Sequence, residues 1–537
     1  MAREATEEEK QTAQQRRIAN ALESIDNRDK VTVDATGGAL ATVISPLTGF
    51  GEVRVAVQSP IAQIDAVYGL LDNVETRTST GGSVGVTDGN FVCQTGTSVG
   101  GYGLIRTRRA VRYRPGQGSL FRFTALFDDK NATALSLQAA GPFNSVSGFF
   151  VGYNGADFGV MHRTGGYHET RTLTISVAAS GSETLSLQLN GVTYAIPVTS
   201  GTVAHNTYEV AEWLSNPANQ TVWDAWQNNG TVVLFARNVG PLSGAYSVAN
   251  GGGGETIAGS IAQDKAGVAN TETWSYPDAT WVDKLDGTGP SGMTLEPGKG
   301  NVFEVDVTYL GYGDVVFRVE NPATGRFTTF YRFQFSNSRT TPTMTNPTMK
   351  VGWISASRGS SANLTVRGAS ALGGVDGVLH SFRRPRSFSS QRVGVGGTLT
   401  SIFAIRVRSV FRGVAQLVEL LPKIAFVSPA GSKPCVVRLL LNPTFDTAAS
   451  EPNWLYVDET NSIVEYDTAG TTFTSNGTEL AGFTVAGGSN AALKFVDLTE
   501  ESISPVHMER GDVLCIAASI SGGGGSDVAA SLTWLED

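Results

Sequence analysis

Residues able to do acid–base, nucleophilic or metal chemistry are few in this chain and widely scattered. Five histidines stand at 162, 168, 205, 380 and 507. His162 and His168 are the nearest pair for a metal ion, but no carboxylate or cysteine shares their spacing, so a structural place is expected for both. Cys93, Cys435 and Cys515 are isolated and odd in number. They form neither a disulfide framework nor a metal-ligand pattern and are expected to be buried thiols. Asp283-Lys284-Leu285-Asp286-Gly287 has the oxygens and turn glycine of a Ca²⁺ loop, yet it lacks the third ligand and closing Glu of an EF-hand. A polar turn is expected there. The acid pairs Asp128-Asp129 and Glu500-Glu501 would serve glycoside hydrolysis only if two carboxylates faced each other across a cleft. No P-loop, no Gly-x-Ser-x-Gly elbow and no His-Glu-x-x-His is expected. The expectation is therefore no enzyme, no cofactor and no metal.

Two further features invite a binding role. Arg510-Gly511-Asp512 runs straight into the apolar run Val513-Leu514-Cys515-Ile516 and reads as the turn before a buried strand, not as a displayed tripeptide. Trp213, Trp223, Trp226, Trp274, Trp281 and Tyr312 could stack on sugar rings, although aromatic side chains more often build cores. Trp281 and Tyr312 are kept as the candidate glycan contacts.

Charge distribution says more. Residues 89–127 hold six arginines, at 106, 108, 109, 112, 114 and 122, and no acid; residues 377–418 hold seven more, again without an acid. From 424 to the end there are 15 Asp plus Glu against 4 Lys plus Arg. Solvated strand faces, a patch for an acidic glycan or nucleic acid, and subunit contacts all fit. The preference for Arg over Lys favours bidentate pairing at an interface. The candidate subunit-interface residues are Arg106, Arg108, Arg112 and Arg114, with Arg383, Arg384, Arg386, Arg406 and Arg408. Several are spaced by two and would share one strand face.

The elements that must position these residues are mostly strands. At 537 residues the chain is long enough for roughly three or four domains. Only 17% of it is charged, and 63 glycines without a Gly-X-Y period point to many tight turns. The net charge of −9 makes nucleic acid an unlikely partner for the chain as a whole. No apolar run is long enough to span a bilayer, and the start, MAREATEEEKQ, is too charged for a signal peptide, so assembly in a cytoplasm is expected.

A helix over 6–25 opens the chain, with a Thr6/Glu9 capping box and an apolar stripe of Ile18, Leu22 and Ile25 suited to docking on neighbouring subunits. Period-two segments follow at 52–57, 84–86, 119–127, 302–307 and 315–320. Residues 167–270 have another rhythm. Hairpin strands at 173–177, 185–189 and 194–196 precede a helix over 208–214, opened by an Asn206/Glu209 box, and a helical turn at 222–226. A strand at 232–235 closes this small α+β unit, read as an insertion into a surface loop with Gly251 to Gly254 as exit linker. Beyond 373, strands recur at sandwich-like intervals. The expected fold is mainly β: a terminal helix and connector (1–45), a sandwich (46–166 plus 271–372), the insert (167–270) and a C-terminal sandwich (373–537).

Five runs carry a resemblance: 158–166 (FGVMHRTGG), 112–118 (RYRPGQG), 301–306 (NVFEVD), 309–313 (YLGYG) and 319–325 (VENPATG). Over roughly residues 50–370 the chain resembles a family of structural proteins from tailed bacteriophages and large DNA viruses, whose central domain is similar to concanavalin-like or laminin-G-like β-sandwiches. No sugar-binding or Ca²⁺-binding set can be matched. The resemblance implies a non-enzymatic virion component, a homo-oligomer and specifically a trimer, in a tail or head appendage. Its partners would be its own copies, other virion proteins and a host surface glycan, with no membrane insertion. A minor capsid or decoration protein is the alternative within that class. A glycan-binding or glycan-cleaving protein is the alternative outside it.

Overall fold

The computed structural model describes residues 58–128, 136–376 and 384–536, apart from 80, 220, 253, 412–413, 416–419, 448, 487–493, 498–507, 509 and 523–524. The predicted helix with Ile18, Leu22 and Ile25, the strand at 52–57, and Arg383 lie outside these residues. The protein is mainly β, with several antiparallel sheets in multi-domain sandwiches and, among the described residues, one α-helix.

The chain forms two compact units, and it leaves the first after His162 to re-enter it at Thr273. In the first unit one sheet runs, neighbour to neighbour, Arg326–Phe333, Val315–Asn321, Asn301–Val307, Ser119–Phe127, Thr365–Gly368, Asn90–Gln94, Ser83–Thr87. The facing sheet centres on Gly148–Asn154, Leu137–Phe143, Lys350–Ala356 and Tyr102–Thr107. Strand alternation builds the core between them. Phe121, Phe123, Ala125 and Phe127 point inward and join Phe303, Val305 and Val307, while Arg122 between them is exposed. Register places Phe123 opposite Phe303, their rings stacked at 5.9 Å. A glycine is required at 368, because a Cβ there would lie 2.3 Å from the Trp353 indole, whose Nε1 donates to the Thr124 carbonyl at 2.8 Å.

The same alternation sets charges side by side on the other face. Glu304 is directly opposite both Arg122 and Arg318. Arg318 donates to Glu304 at 2.6 Å and lies 3.4 Å from Asp306, while Arg122 donates to Glu304 at 2.7 Å.

The second unit contains residues 163–272 together with the C-terminal sandwich. In the 163–272 segment one sheet has the order Trp223–Asn228, Thr231–Val239, His168–Val177, Ala258–Lys265, and a smaller one pairs Val192–Val198, Glu183–Leu189 and Ser247–Asn250. The helix Val203–Ser215 buries Val210, Ala211 and Leu214 in their shared core.

Two sequence expectations need correction here. The helix begins a turn earlier than the predicted 208, because Thr202 caps it by accepting from the His205 N–H at 3.1 Å. Asn206 is instead fully buried, tying the Ala179 N–H to the Thr199 carbonyl. Residues 222–226 are not helical: Trp223–Asn228 is a strand, with Trp223 and Ala225 buried and Asp224 and Trp226 half-buried. The cause is Asn229-Gly230, both at positive φ (42° and 76°), which form a two-residue hairpin turn into Thr231–Val239.

Glu183 stitches this segment together by accepting from the backbone N–H groups of Ser180, Thr256 and Ile257. Burial alone would raise its carboxyl, but these bonds outweigh that and bring it down to about 2. A folded-state value below the ordinary 4.5 makes the stabilisation complete above 4.5 and lost as pH falls through about 2. Thermal melts across the acid range should therefore show Glu183→Gln less stable than wild type near neutrality, with the gap closing toward pH 2.

In the C-terminal sandwich a four-stranded sheet includes Arg384–Val395, Ser526–Glu536 and Leu420–Pro429. It faces a six-stranded sheet with the order Leu455–Tyr456, Val464–Asp467, Thr400–Val407, Val513–Ile520, Cys435–Leu441, Thr478–Val485. Phe403, Ile405, Val437, Leu532 and Trp534 fill the space between.

Candidate ligand cleft in the second unit

Strand His168–Val177 turns Leu173 and Ile175 into the core, which leaves Thr170 and Thr172 on the opposite face. Register sets Phe235 and Val233 beside them, with Trp226 next along. The C-terminal sandwich meets this face through a polar seam. Arg406 donates to Glu465 and to the Gln227 carbonyl, and its guanidinium lies 4.3 Å from the Trp454 ring centre. Asn228 donates to Glu465, Gln227 to Asn453 at 2.8 Å, and the Asn229 N–H to the Trp454 carbonyl at 2.9 Å. His205 Nδ1 meets Glu451.

Beside this seam lies a cavity of about 190 Å³, lined by Thr170, Thr172, Trp226, Val233 and Asp264 on one side and by residues 408–410, Tyr456 and Glu465 on the other. Most of its polar groups are already engaged. Glu465 is held by Arg406 and Asn228, Arg408 donates to the carbonyls of Glu459 and Ser462 while stacking 3.9 Å over Tyr456, and Thr172 donates to Asp264 at 2.9 Å. The Thr170 hydroxyl differs: its residue is 2% exposed and its Oγ1 has no hydrogen-bond partner among the described residues. Nothing in the spacing of Thr170, Trp226, Asp264 and Tyr456 announces this cluster. The only sequence signal is the alternation Thr170, Thr172, Thr174 against Leu173 and Ile175.

The candidates drawn from sequence lie elsewhere or turn inward. Trp281 is 6% exposed, packed on Phe330 and Tyr331, so the core leaves it no face for a sugar. Tyr312 is on the surface, its hydroxyl 3.3 Å from the Thr340 carbonyl. The arginines do not share one strand face, because the strand Tyr102–Thr107 ends before Arg108, and Arg112 and Arg114 follow in irregular chain leading to a Pro115-Gly116 turn. Arg106 is buried and clamped by Glu75 at 2.7 and 3.0 Å, with Lys350 on the same carboxylate. Burial would raise the Glu75 carboxyl, but Arg106, Lys350 and Arg77 outweigh it and hold it well below the usual range. Arg386 lies near Asp458 and Glu536, and of Arg384 only its place in a strand is described.

His162 and His168 do not converge on a metal. His162 is buried against Phe149 with Nε2 on the Thr343 carbonyl, and burial brings its ring down to about 4. His168 is held between the Ala236 carbonyl and Ser145. The carboxylates of Asp283 and Asp286 accept N–H groups from their own loop, at Leu285, Ser291 and Thr288. Burial raises all three thiols, Cys435 to about 11 and Cys515 to about 12, which suppresses the reactive thiolate. Gly511 turns the chain into Val513–Ile520 at φ 85°, and Asp512 is buried with Asn442 donating to it. The pattern Gly-x-Ser-x-Gly does occur, at 81–85 and 96–100, but Ser83 opens a hairpin strand with its hydroxyl on Gln94, and Ser98 sits in a bend before a strand. Neither forms the strand-to-helix elbow of a hydrolase.

No family model matches the chain, and no curated protein matches it. Among solved structures it is similar to arcelin-5, a lectin-like defense protein from Phaseolus vulgaris, at 8% identity and a TM-score of 0.23, over 60% of this chain and 99% of that one.

Proposed function

We propose that the chain is a non-enzymatic structural component of a virion, a multi-sandwich protein that self-associates as a trimer in a tail or head appendage. The observation that supports it best is how the molecule uses its charged residues. Arginines and acids far apart in sequence close on one another across neighbouring strands, as in Glu304 with Arg122 and Glu465 with Arg406. Such pairs fix register and stiffen sheets, which serves a load-bearing part, and His162, His168 and the three thiols are buried in packing. The resemblance of the runs at 112–118, 158–166, 301–306, 309–313 and 319–325 to structural proteins of tailed bacteriophages and large DNA viruses points the same way.

The test is particle composition and mass. The purified chain is expected to sediment as a trimer of 56.5 kDa subunits and to be present in purified particles at appendage copy number. Deleting residues 1–30 should release it from the particle, whereas a decoration protein held by its sandwich faces would stay bound. A lone monomer that cleaves a sugar polymer would overturn the reading.

A further inference from the structure

We infer that the seam between the 163–272 segment and the C-terminal sandwich is a proton-operated latch, closed when the His205 ring carries both of its protons and loosened when one is lost. His205 stands in the first turn of the helix Val203–Ser215 and reaches an acid on each side. Its Nδ1 meets Glu451 of the sandwich, while Nε2 lies 2.7 Å from the Thr199 hydroxyl and 3.2 Å from Glu209. Thr199 spends its one hydroxyl proton on Glu209, at 2.6 Å. It can therefore only accept from Nε2, just as the Glu451 carboxylate can only accept from Nδ1. Both ring nitrogens must donate, and only imidazolium does that. A neutral ring would turn a nitrogen lone pair toward an oxygen on one side.

The contact is conditional because the helix N-terminus opposes a cation in its first turn, so the charge depends on the two carboxylates. The three side chains are 20–21% exposed, open enough to exchange protons with water and covered enough to escape full screening. Glu451 makes the contact a latch because residues 451–454 are the strap by which the sandwich grips its neighbour. Gln227 donates to Asn453 at 2.8 Å, the Trp454 N–H donates to Gln227 at 3.1 Å, and the Trp454 carbonyl accepts from the Asn229 N–H at 2.9 Å.

The other ionisable groups of the seam are Tyr208 and Glu212 on the helix, with Arg406, Glu465 and Asp467 on the sandwich. Burial raises Tyr208, and it raises Glu212 against the pull of Arg406. Asp467 holds the strap from beneath by accepting from the Asn453 N–H at 2.7 Å. Burial brings its carboxyl up to about 6, against its three backbone donors and Arg392. A folded-state value above the ordinary 3.8 gives stability that is complete below 3.8 and lost as pH rises through about 6. Imidazole loses its proton between about pH 5 and 8, so both groups favour closure in mild acid and release toward the alkaline side. The latch is independent of the scaffold role, which would survive its failure.

The test is hydrogen–deuterium exchange by mass spectrometry on the full chain at about pH 5.5 and about pH 8, corrected for intrinsic exchange rates. Protection of residues 226–231 and 451–456 is expected to fall about tenfold from the lower pH to the higher, while that of Ser119–Phe127 in the first unit stays level. His205→Gln, which is polar and does not titrate, should show the alkaline level of protection at both pH values. Its melting temperature should match wild type at the higher pH, where the wild-type contact is already released. Glu451→Ala repeats the test from the other side of the seam and should flatten the profile in the same way. A wild-type profile without the step would overturn the inference. A step that survives His205→Gln would overturn it equally, and would assign the pH response to Asp467 alone.

Discussion

Arg406→Met is expected to lower the unfolding free energy by about 3–5 kcal/mol, measured by urea denaturation. The magnitude follows from what stays behind. The Glu465 side chain is 7% exposed and Arg406 is its cationic partner at the seam. Among the described residues, removing the guanidinium leaves a carboxylate out of water with Asn228 as its remaining donor, and takes the one side-chain donor to the Gln227 carbonyl. A double variant, Arg406→Met with Glu465→Leu, separates the two costs. It removes the stranded charge, so most of the loss should return, and a deficit of about 1–3 kcal/mol should remain for the unpaired carbonyl. If Arg406→Met alone costs under about 1 kcal/mol, the pair behaves as a solvent-exposed one and the seam is not a dry joint.

That pair also shows where reading a sequence stops. The chain looks polar in the large sense, with acid-free stretches rich in arginine and an acidic C-terminal part, and the natural inference is that a basic face of one copy meets an acidic face of another. In the second unit much of that asymmetry closes within a single chain. Arg406 finds Glu465, 59 residues on, and Arg386 finds Asp458 and Glu536. Linear spacing cannot show this, because cross-strand neighbours are set by register and topology. Strands themselves were legible where period two was strict, as at Ser119–Phe127 and Asn301–Val307, and the Asn190-Gly191 turn was readable because only a few residues tolerate positive φ at both central positions. The same chemistry stands at Asn229-Gly230, but there Trp223 and Trp226 are also spaced as a helix face would space them, so the local pattern fits two structures. The cleft was not legible at all. Thr170, Trp226, Asp264 and Tyr456 come from four strands or their ends, and a motif search sees only residues close in sequence.

Arg318→Leu in the first unit should be as damaging, by about 3–5 kcal/mol, and its neighbour supplies the control. Two arginines reach the same Glu304 from opposite sides at nearly equal distance, 2.6 Å for Arg318 and 2.7 Å for Arg122. Distance alone would predict equal effects. Burial predicts otherwise: the Arg122 side chain is 46% exposed and that of Arg318 14%, and Arg318 also faces Asp306, whose side chain is fully buried. Burial opposes the charge on Arg318, but Asp306 and Glu304 outweigh it and raise its affinity for the proton. Losing it takes the cation that faces the buried Asp306 and leaves Glu304 with only the half-exposed Arg122 as its cationic partner among the described residues. Losing Arg122 removes a screened contact worth at most about 1 kcal/mol, partly offset by the water that replaces it. Arg318→Lys should fall between, since an ammonium keeps the charge but cannot fork between two acceptors. Urea titrations of the three variants should therefore rank Arg318→Leu as most destabilised, Arg318→Lys next and Arg122→Leu nearly wild type. Equal losses for Arg122→Leu and Arg318→Leu would mean that solvent reaches Glu304 from both sides, and the sheet would then owe its register to the Phe123–Phe303 stack and its neighbours rather than to the charges above them.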